Sequence, residues 1–487
     1  MKLLLRWLRR LVLALVLVWG TLVVGGGFEA RARLADLSPW HRLVPRAEMR
    51  AADLGETTTL ADYLKREEET FAEVRREVVE KLAPAEKRVA NRYWADSPLS
   101  PDRQPGGNWN RTHELVPETV RGGVLLVHGL TDAPYSVRAL AEAYRDEGFY
   151  ALALRMPGHG TVPGALTEAT WEDWLAAVRL GARHVRSKIG PKAPLHFVGY
   201  SNGGALVLSQ ALDAAFDPKR TRADRIVLVS PMVGVTPVAR LARPVSLLGG
   251  IAYFEKAKWT DVLPEYNPYK YNSFPANAGR QTWELTRRLQ AQVRRLAAAG
   301  RAGELPPILT FQSLVDATVS TPAILERLYA YVAPNGSELV LFDVNRAAET
   351  KPFLKGTSDA LLARAVADAK RSYTLTVVAN AGPGTREADA RSFPPGAGEA
   401  RGVPLGLAWP EGVFSLSHIA LPFRPDDPLF GLRAGTDAPP AFRLGALAPR
   451  GEWAAMTVPA ATVMRLSSNP FFPYVESRVR EAIRGAR

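Results

Sequence analysis

The sequence contains no cysteine, and this absence excludes several kinds of chemistry. Without thiols the chain forms no disulfide, offers no thiolate ligand to a metal and has no cysteine nucleophile. Histidine is scarce as well, with 7 in 487 residues. Because histidine is the side chain that most readily exchanges a proton near neutral pH, few residues are candidates for a general base.

A concentrated basic tract is also lacking, although the formal net charge is +13. The arginines are spread along the chain, which indicates a solvated basic surface, and we do not expect nucleic acid as a partner. With 47% hydrophobic and 23% charged residues, the composition is that of a globular protein. The length allows one large domain with insertions.

Long apolar runs are confined to the N-terminus. Residues 11–28 carry no charge and follow Lys2 and three arginines, which is the pattern of an export signal or a membrane anchor. The Ala-Arg-Ala sequence at 30–32 suits signal cleavage, so residues 1–33 are either a signal-anchor or a signal peptide, and we favour the anchor. The basic flank predicts that the bulk of the chain lies on the non-cytoplasmic side, which is the periplasm if the source is a Gram-negative bacterium.

Short β-branched runs alternate with helical segments after residue 121, and this alternation predicts an α/β fold with a mainly parallel central sheet flanked by helices. Before it, residues 34–118 form a predicted helical extension and linker, with an amphipathic helix at 59–82 that begins at a capping box of Thr59 and Asp62. The predicted strands are 124–127, 150–154, 195–198, 226–229, 308–311 and 339–342.

Two long detours interrupt the predicted core, which comprises residues 119–232, 306–346 and 413–487. The first, 233–305, is an aromatic-rich insertion expected to form a cap at the carboxyl edge of the sheet. Its aromatic side chains either line an acyl pocket or pack within the cap, and the candidate substrate-binding residues are Tyr253, Phe254 and Trp259.

The second detour, 347–412, has a predicted helix at 358–370 and a predicted strand at 373–378. A loop rich in glycine, proline and charge is expected to follow that strand.

The sequence Gly-Tyr-Ser-Asn-Gly at 199–203 follows a predicted strand and precedes an aliphatic helix. This G-x-S-x-G pattern in a strand–turn–helix context is typical of a nucleophile elbow, in which a sharp turn exposes the serine. Ser201 is therefore the candidate nucleophile, provided that a base and an acid can be found for it.

The base follows from chain order. In this kind of sheet the serine comes first, the acid second and the histidine last, and His418 is the one histidine after Ser201. Asp316 lies a few residues beyond a predicted strand, at the edge of the sheet where the serine turn also lies, and is the candidate acid. Asp343, at the end of the next strand, is the reserve candidate.

An oxyanion formed at the serine would need two N–H donors. The N–H of Asn202, directly after the nucleophile, and the N–H of Leu130, in the loop after the first predicted strand, are the candidates. His128 and His159 precede the serine, so we interpret them as residues that fix loops rather than as bases.

Together, "VHGLTDAPYSVRALAEAYRDEGFYALALRMPGHGT" and "GYSNGG" resemble the α/β-hydrolase superfamily, in its serine aminopeptidase and monoacylglycerol lipase-like branch. The resemblance covers about 122–232, 306–344 and 414–423. It implies that the serine is acylated, that the histidine carries its proton and that the acid orients the ring. It also implies no metal and no organic cofactor.

The expected function is hydrolysis of carboxylic esters, with a lipid-derived or other small-molecule ester as substrate and with the membrane as a partner through the N-terminal helix. Two rivals stay open: an aminopeptidase or amidase on the same scaffold, and a membrane-anchored binding protein without turnover. Acyl-chain preference and oligomeric state do not follow from the sequence.

Overall fold

The structure is a computed structural model that describes residues 2–234, 250–346, 357–431 and 465–485. The predicted insertions at 233–305 and 347–412, and the predicted C-terminal region at 413–487, therefore lie partly outside the described residues.

The α-helices of the described ranges are α1 (Lys2–Arg33), α2 (Pro39–Arg42), α3 (Leu60–Val74), α4 (Arg138–Asp146), α5 (Trp171–Ile189), α6 (Asn202–Phe216), α7 (Ala276–Ala298), α8 (Thr321–Arg327), α9 (Thr357–Ala367) and α10 (Phe472–Arg484). The strands are β1 (His113–Leu115), β2 (Gly122–Val127), β3 (Phe149–Leu154), β4 (Leu195–Tyr200), β5 (Arg225–Val229), β6 (Trp259–Asp261), β7 (Phe274–Pro275), β8 (Ile308–Ser313), β9 (Glu338–Phe342), β10 (Thr374–Asn380), β11 (Glu387–Phe393) and β12 (Arg401–Ala408).

The central sheet has the strand order β1-β3-β2-β4-β5-β8-β9-β10-β11-β12. From β3 to β10 all neighbours are parallel, whereas β1 at one edge and β11 and β12 at the other are antiparallel. The prediction of a mainly parallel sheet is confirmed, and each of the six predicted strands is present. β2, β3 and β4 are buried along their whole length, which explains their continuous apolar runs.

Helices cover both faces of the sheet. Alternate residues of a strand point to opposite faces, so Leu125 joins the core under α5, α6 and α7, while Val124 joins the core under α4 and α10. This sandwich of helices around parallel strands is the α/β-hydrolase architecture. It brings the carboxyl ends of β2, β4, β5 and β8 together at one edge of the sheet.

The second insertion extends the central sheet. Its predicted helix and strand correspond to α9 and β10, and β10 pairs in parallel with β9. The prediction of a loop after that strand was wrong, because β11 and β12 continue the sheet there as antiparallel strands. β12, the edge strand, is largely exposed, and β11 has only two fully buried residues, so neither carries the apolar run by which a buried strand is recognised.

The described part of the first insertion divides into two regions. Residues 250–275 contain 3₁₀ turns and the short pair β6–β7, whereas α7 packs against α6 on the face of the sheet. Leu285 and Leu289 of α7 are fully buried there. α7 therefore belongs to the helical layer of the core.

The N-terminal extension, residues 34–118, is anchored to the core by specific polar contacts. The predicted capping box at the start of α3 is confirmed, since Asp62 N–H donates to Thr59 and the Asp62 carboxylate accepts from Thr59 N–H. The Ala51 N–H donates to Asp173 of α5 at 2.7 Å. Among the described residues, no helix combines the length and the apolar character needed to cross a bilayer.

Candidate active site

Ser201 lies on a sharp turn between β4 and α6. Its backbone has φ 54° and ψ −118°, a conformation that costs energy for any residue other than glycine. Gly199 and Gly203 make the turn possible: a Cβ on Gly203 would lie 2.1 Å from the Val127 carbonyl oxygen, and one on Gly199 would lie 2.6 Å from the Gly203 oxygen. The predicted strand–turn–helix context of the serine is confirmed.

The side chains of Ser201, His418 and Asp316 form a continuous hydrogen-bonded series. The Ser201 hydroxyl lies 3.1 Å from His418 Nε2, and His418 Nδ1 lies 3.0 Å from Asp316 Oδ2. The side chain of His418 is 7% exposed and that of Asp316 is fully buried. With a proton on Nδ1, the imidazole donates to the carboxylate and leaves Nε2 free to accept from the serine.

Asp316 is held as an anion by several donors. The N–H groups of Thr318 and Val319 donate to its Oδ1 at 2.7 and 2.9 Å, while Gln312 and Ser230 donate to Oδ2 at 3.2 and 3.3 Å. Burial raises the pKa of Asp316, but the His418 hydrogen bond and charge and the two N–H donors outweigh it, so the pKa is lowered overall. No sequence pattern pointed to Ser230 or Gln312.

The loop that carries His418 is fastened to the core although a long insertion precedes it. The Tyr200 ring stacks on the imidazole with centroids 5.3 Å apart, and the Tyr200 hydroxyl donates to the His418 carbonyl at 3.4 Å. Ser313, the last residue of β8, donates to the Leu416 carbonyl at 3.0 Å. These contacts place the imidazole beside Ser201.

The candidate oxyanion donors both belong to segments that border Ser201. Asn202 is the first residue of α6, and the first N–H groups of a helix have no intrahelical acceptor. The loop at 128–132, which carries Leu130, lies against the serine, because a Cβ on Gly129 would be 3.2 Å from Ser201 Cβ. The assignment of these two N–H groups as donors stays a prediction.

The two histidines interpreted as loop-fixing residues make backbone contacts. His128 Nε2 lies 3.0 Å from Met156 N and accepts its proton, and His159 Nδ1 lies 3.0 Å from the Pro157 carbonyl. Burial lowers the pKa of His128 to about 4 and that of His159 well below its ordinary value. Both rings are therefore neutral at physiological pH.

The reserve acid, Asp343, is engaged elsewhere. Arg346 donates to both of its carboxylate oxygens, at 2.6 and 3.0 Å. The buried Asp343 therefore forms an ion pair with the more exposed Arg346, and Asp316 is the carboxylate that reaches the histidine.

A second carboxylate, Asp132, lies beside the candidate oxyanion loop. It is 6% exposed, and Lys270 Nζ lies 3.5 Å from its Oδ1. Burial raises the pKa of Asp132, while Lys270 and His418 act in the opposite direction. Asp132 lies in the stretch that carries the family resemblance, but nothing in its spacing marked it as a residue of the site.

The candidate substrate-binding aromatics contact the N-terminal segment. Phe28 lies edge-on to Tyr253 and Phe254, with ring centroids 6.0 and 5.2 Å away, and His41 lies edge-on to Trp259 at 5.0 Å. Within the described ranges, none of these three aromatic side chains makes a ring contact or a hydrogen bond with Ser201, His418 or Asp316. Their role in substrate binding stays a prediction.

In the part of the chain that the structure describes, no three His, Asp or Glu side chains are grouped so that they could hold a metal ion.

Comparisons with known proteins agree with this architecture. Residues 118–343 match the family described as serine aminopeptidase, S33. A thermostable monoacylglycerol lipase from Bacillus sp. (strain H-257) is 40% identical over 86 residues, which are 18% of this chain and 33% of the lipase. The chain thus spans about a third of the length of the curated relative it matches.

Two solved structures are similar to the chain at lower identity. One, from work on the metagenome-derived lipolytic enzymes LipS and LipT, is 21% identical with a TM-score of 0.37 and covers 53% of this chain and 97% of its own. The other, the monoacylglycerol lipase of Paleococcus ferrophilus, is 19% identical with a TM-score of 0.35 and covers 48% and 88%.

Fold, family match and site geometry together define the class. The chain has the α/β-hydrolase fold, and it resembles the serine aminopeptidase and monoacylglycerol lipase-like branch of that superfamily.

Proposed function

We propose that this protein is a serine hydrolase that cleaves carboxylic esters through an acyl-enzyme. The observation that carries the proposal is the hydrogen-bonded series from Ser201 through His418 to Asp316. A hydroxyl attacks a carbonyl slowly unless a base removes its proton, and an imidazole oriented by a carboxylate provides that base.

In the acylation step, Ser201 Oγ attacks the ester carbonyl carbon while its proton moves to His418 Nε2. The carbonyl oxygen becomes an oxyanion, which the N–H groups of Leu130 and Asn202 stabilise. The C–O bond to the alcohol then breaks, and the alcohol leaves with the proton from Nε2. Asp316 stabilises the imidazolium formed between these events.

In deacylation, a water molecule repeats the sequence on the acyl-enzyme. His418 takes a proton from the water, the hydroxide attacks the acyl carbon, and Ser201 Oγ leaves and recovers its proton. The products are the free acid and the original enzyme, and each step returns the protons it uses. No group other than the described side chains and water is needed.

Lipid-derived esters are the proposed substrates, because one relative is a monoacylglycerol lipase. An amidase or aminopeptidase activity is the second candidate, since the matching family is described as serine aminopeptidase. A series of nitrophenyl esters of increasing acyl length, run beside aminoacyl anilides, separates the two. A higher kcat/KM on the anilides than on the esters would reject ester hydrolysis as the main activity and favour an amidase or aminopeptidase.

The nucleophile is tested by labelling the purified full chain with a fluorophosphonate probe. We expect one labelled serine, Ser201, and loss of ester hydrolysis by about 10⁶-fold in Ser201→Ala and His418→Ala. Ser187→Ala and His184→Ala are matched controls, because both side chains lie on α5, away from the site, and both variants should keep wild-type rates. A folded wild-type sample that does not label would instead favour a binding protein without turnover.

Association with a membrane through α1 is part of the proposal, with the bulk of the chain on the non-cytoplasmic side. Large apolar side chains of α1 are exposed, among them Trp7, Leu13 and Leu17 at 62–63%. Flotation of the full chain with phospholipid vesicles, beside a variant lacking residues 2–28, tests the association. Equal flotation of both proteins would reject a role for the helix.

A further inference from the structure

The N-terminal extension supplies two carboxylates to a buried ion-pair network around Arg155, the residue that follows β3. Arg155 donates to both oxygens of Glu48 at 2.8 and 3.1 Å, and its Nε donates to Glu67 Oε2 at 3.0 Å. The three side chains are only 2–3% exposed. Burial lowers the pKa of Arg155, but the two carboxylates help to raise it well above its ordinary value.

The backbone of Arg155 is bound by the same extension. The Tyr63 hydroxyl donates to the Arg155 carbonyl at 2.6 Å, and the Arg155 N–H donates to Thr112 Oγ1 at 3.1 Å. The Thr112 hydroxyl in turn donates to Glu67 at 2.8 Å. Both the side chain and the backbone of this core residue are therefore fixed by residues 34–118.

Met156, the residue after Arg155, connects this network to the candidate oxyanion loop, residues 128–132. The Met156 N–H donates to His128 Nε2 at 3.0 Å, so the proton of the neutral imidazole is on Nδ1. His128 Nδ1 lies 2.8 Å from the Gly129 carbonyl and donates to it. Leu130, the candidate donor, follows Gly129 directly.

We propose that Glu48 and Glu67 are positioning residues for the oxyanion loop and act on it through Arg155 and the His128 imidazole. The inference rests on the proposed function, because it treats the loop as a provider of an oxyanion donor. Such a donor is effective only at hydrogen-bond distance from the developing charge, and a displacement of about 1 Å can cost about a hundredfold in rate.

The competing explanation is that the network only attaches the extension to the core, and a matched control distinguishes the two. Asp173 is also a buried carboxylate that binds the extension, because it accepts a hydrogen bond from the Ala51 N–H. In the described part of the chain it makes no hydrogen bond with Arg155. Asp173→Asn weakens attachment without touching the path to the loop. Glu48→Gln and Glu67→Gln keep side-chain shape and remove one buried charge each.

The experiment measures kcat, KM and the pH profile of nitrophenyl ester hydrolysis for the full-length variants. We expect kcat to fall about tenfold in each Glu→Gln variant and about a hundredfold in the double variant. The double-variant loss lies at the lower end of the range for loss of one oxyanion donor. KM and the shape of the pH profile should not change, because the Ser201–His418–Asp316 contacts are untouched. Asp173→Asn should lower thermal stability and leave kcat within about twofold of wild type.

Hydrogen exchange of the peptide containing residues 128–132 provides a second readout that does not depend on activity. Exchange there should accelerate in the double variant and not in Asp173→Asn. If the double variant does not fold, Tyr63→Phe, which removes only the bond to the Arg155 carbonyl, is measured in its place and should show the same effects at smaller size.

Wild-type kcat and exchange in folded Glu→Gln variants would overturn the inference, and so would an equal loss of kcat in Asp173→Asn. An inactive wild-type enzyme would reject the proposed function instead. In that case the exchange data alone would decide whether the extension positions the loop.

Discussion

Replacement of Asp316 by asparagine should disable the site through the orientation of a single amide. Two backbone N–H groups, of Thr318 and Val319, point at Oδ1 at 2.7 and 2.9 Å. Because an N–H cannot face an NH₂ group, the new amide must keep its oxygen there and turn its NH₂ toward His418 Nδ1. The imidazole must then accept at Nδ1 and carry its proton on Nε2, where it can no longer accept from Ser201.

The magnitude follows from that tautomer. A triad held in the wrong tautomer loses about 10⁴-fold in kcat, which corresponds to about 5.5 kcal/mol of activation free energy. Stability should change less. Gln312, 3.2 Å from Oδ2, loses its acceptor, whereas the Ser230 hydroxyl can rotate and accept from the new NH₂. One lost hydrogen bond costs about 1 kcal/mol.

The assay is steady-state hydrolysis of a nitrophenyl ester together with thermal unfolding of the same samples. Asp343→Asn is the control, because Asp343 is also a buried carboxylate at the end of a neighbouring strand but binds Arg346. The control should keep wild-type kcat. If kcat of Asp316→Asn lies within tenfold of wild type, which corresponds to about 1.4 kcal/mol of activation free energy, the tautomer argument is refuted.

Three further predictions concern stability. Gly203→Ala places a methyl group 2.1 Å from a carbonyl oxygen of β2 and should cost at least about 3 kcal/mol by chemical denaturation; a loss below about 1 kcal/mol would contradict the elbow packing. Burial lowers the pKa of His41 and His196 to about 3 and of His128 to about 4, so the unfolded chain binds more protons and stability should fall as pH drops from about 6.5 toward 4. Each histidine contributes a slope of up to about 1.4 kcal/mol per pH unit, and a flat denaturation midpoint over that range would contradict the burial of the rings. Arg155→Met leaves two buried carboxylates without their cationic partner and should cost about 3–5 kcal/mol; unchanged thermal unfolding would show that they are not desolvated.

Much of the fold follows from the sequence because buried parallel strands have a strong signature. β2, β4 and β8 are short, fully buried strands that are rich in apolar residues and separated by helical segments, and their carboxyl ends meet at one edge of the sheet. Chain order then left His418 as the one candidate base, and the position of Asp316 after β8 made it the first candidate acid.

Features that depend on polar residues from distant segments could not be predicted in this way. Glu48 lies in an irregular stretch, and Glu67 lies on an amphipathic helix among other acidic residues, so nothing local distinguishes them from surface carboxylates. β11 lies next to the edge strand, has mostly half-buried residues and carries charges. In each case the partner that gives the residue its role is decided by tertiary packing.

The dependence of Arg155 on residues from the extension has a practical consequence for fragment design. A fragment trimmed to the family match at 118–343 would omit His418. It would also lack Glu48 and Glu67, so Arg155 would lose both of its carboxylate partners. Crystallographers or protein engineers who choose boundaries by homology would obtain a piece that lacks both its proton acceptor and its counterions. A fragment that keeps these contacts must begin upstream of Glu48 and continue past His418.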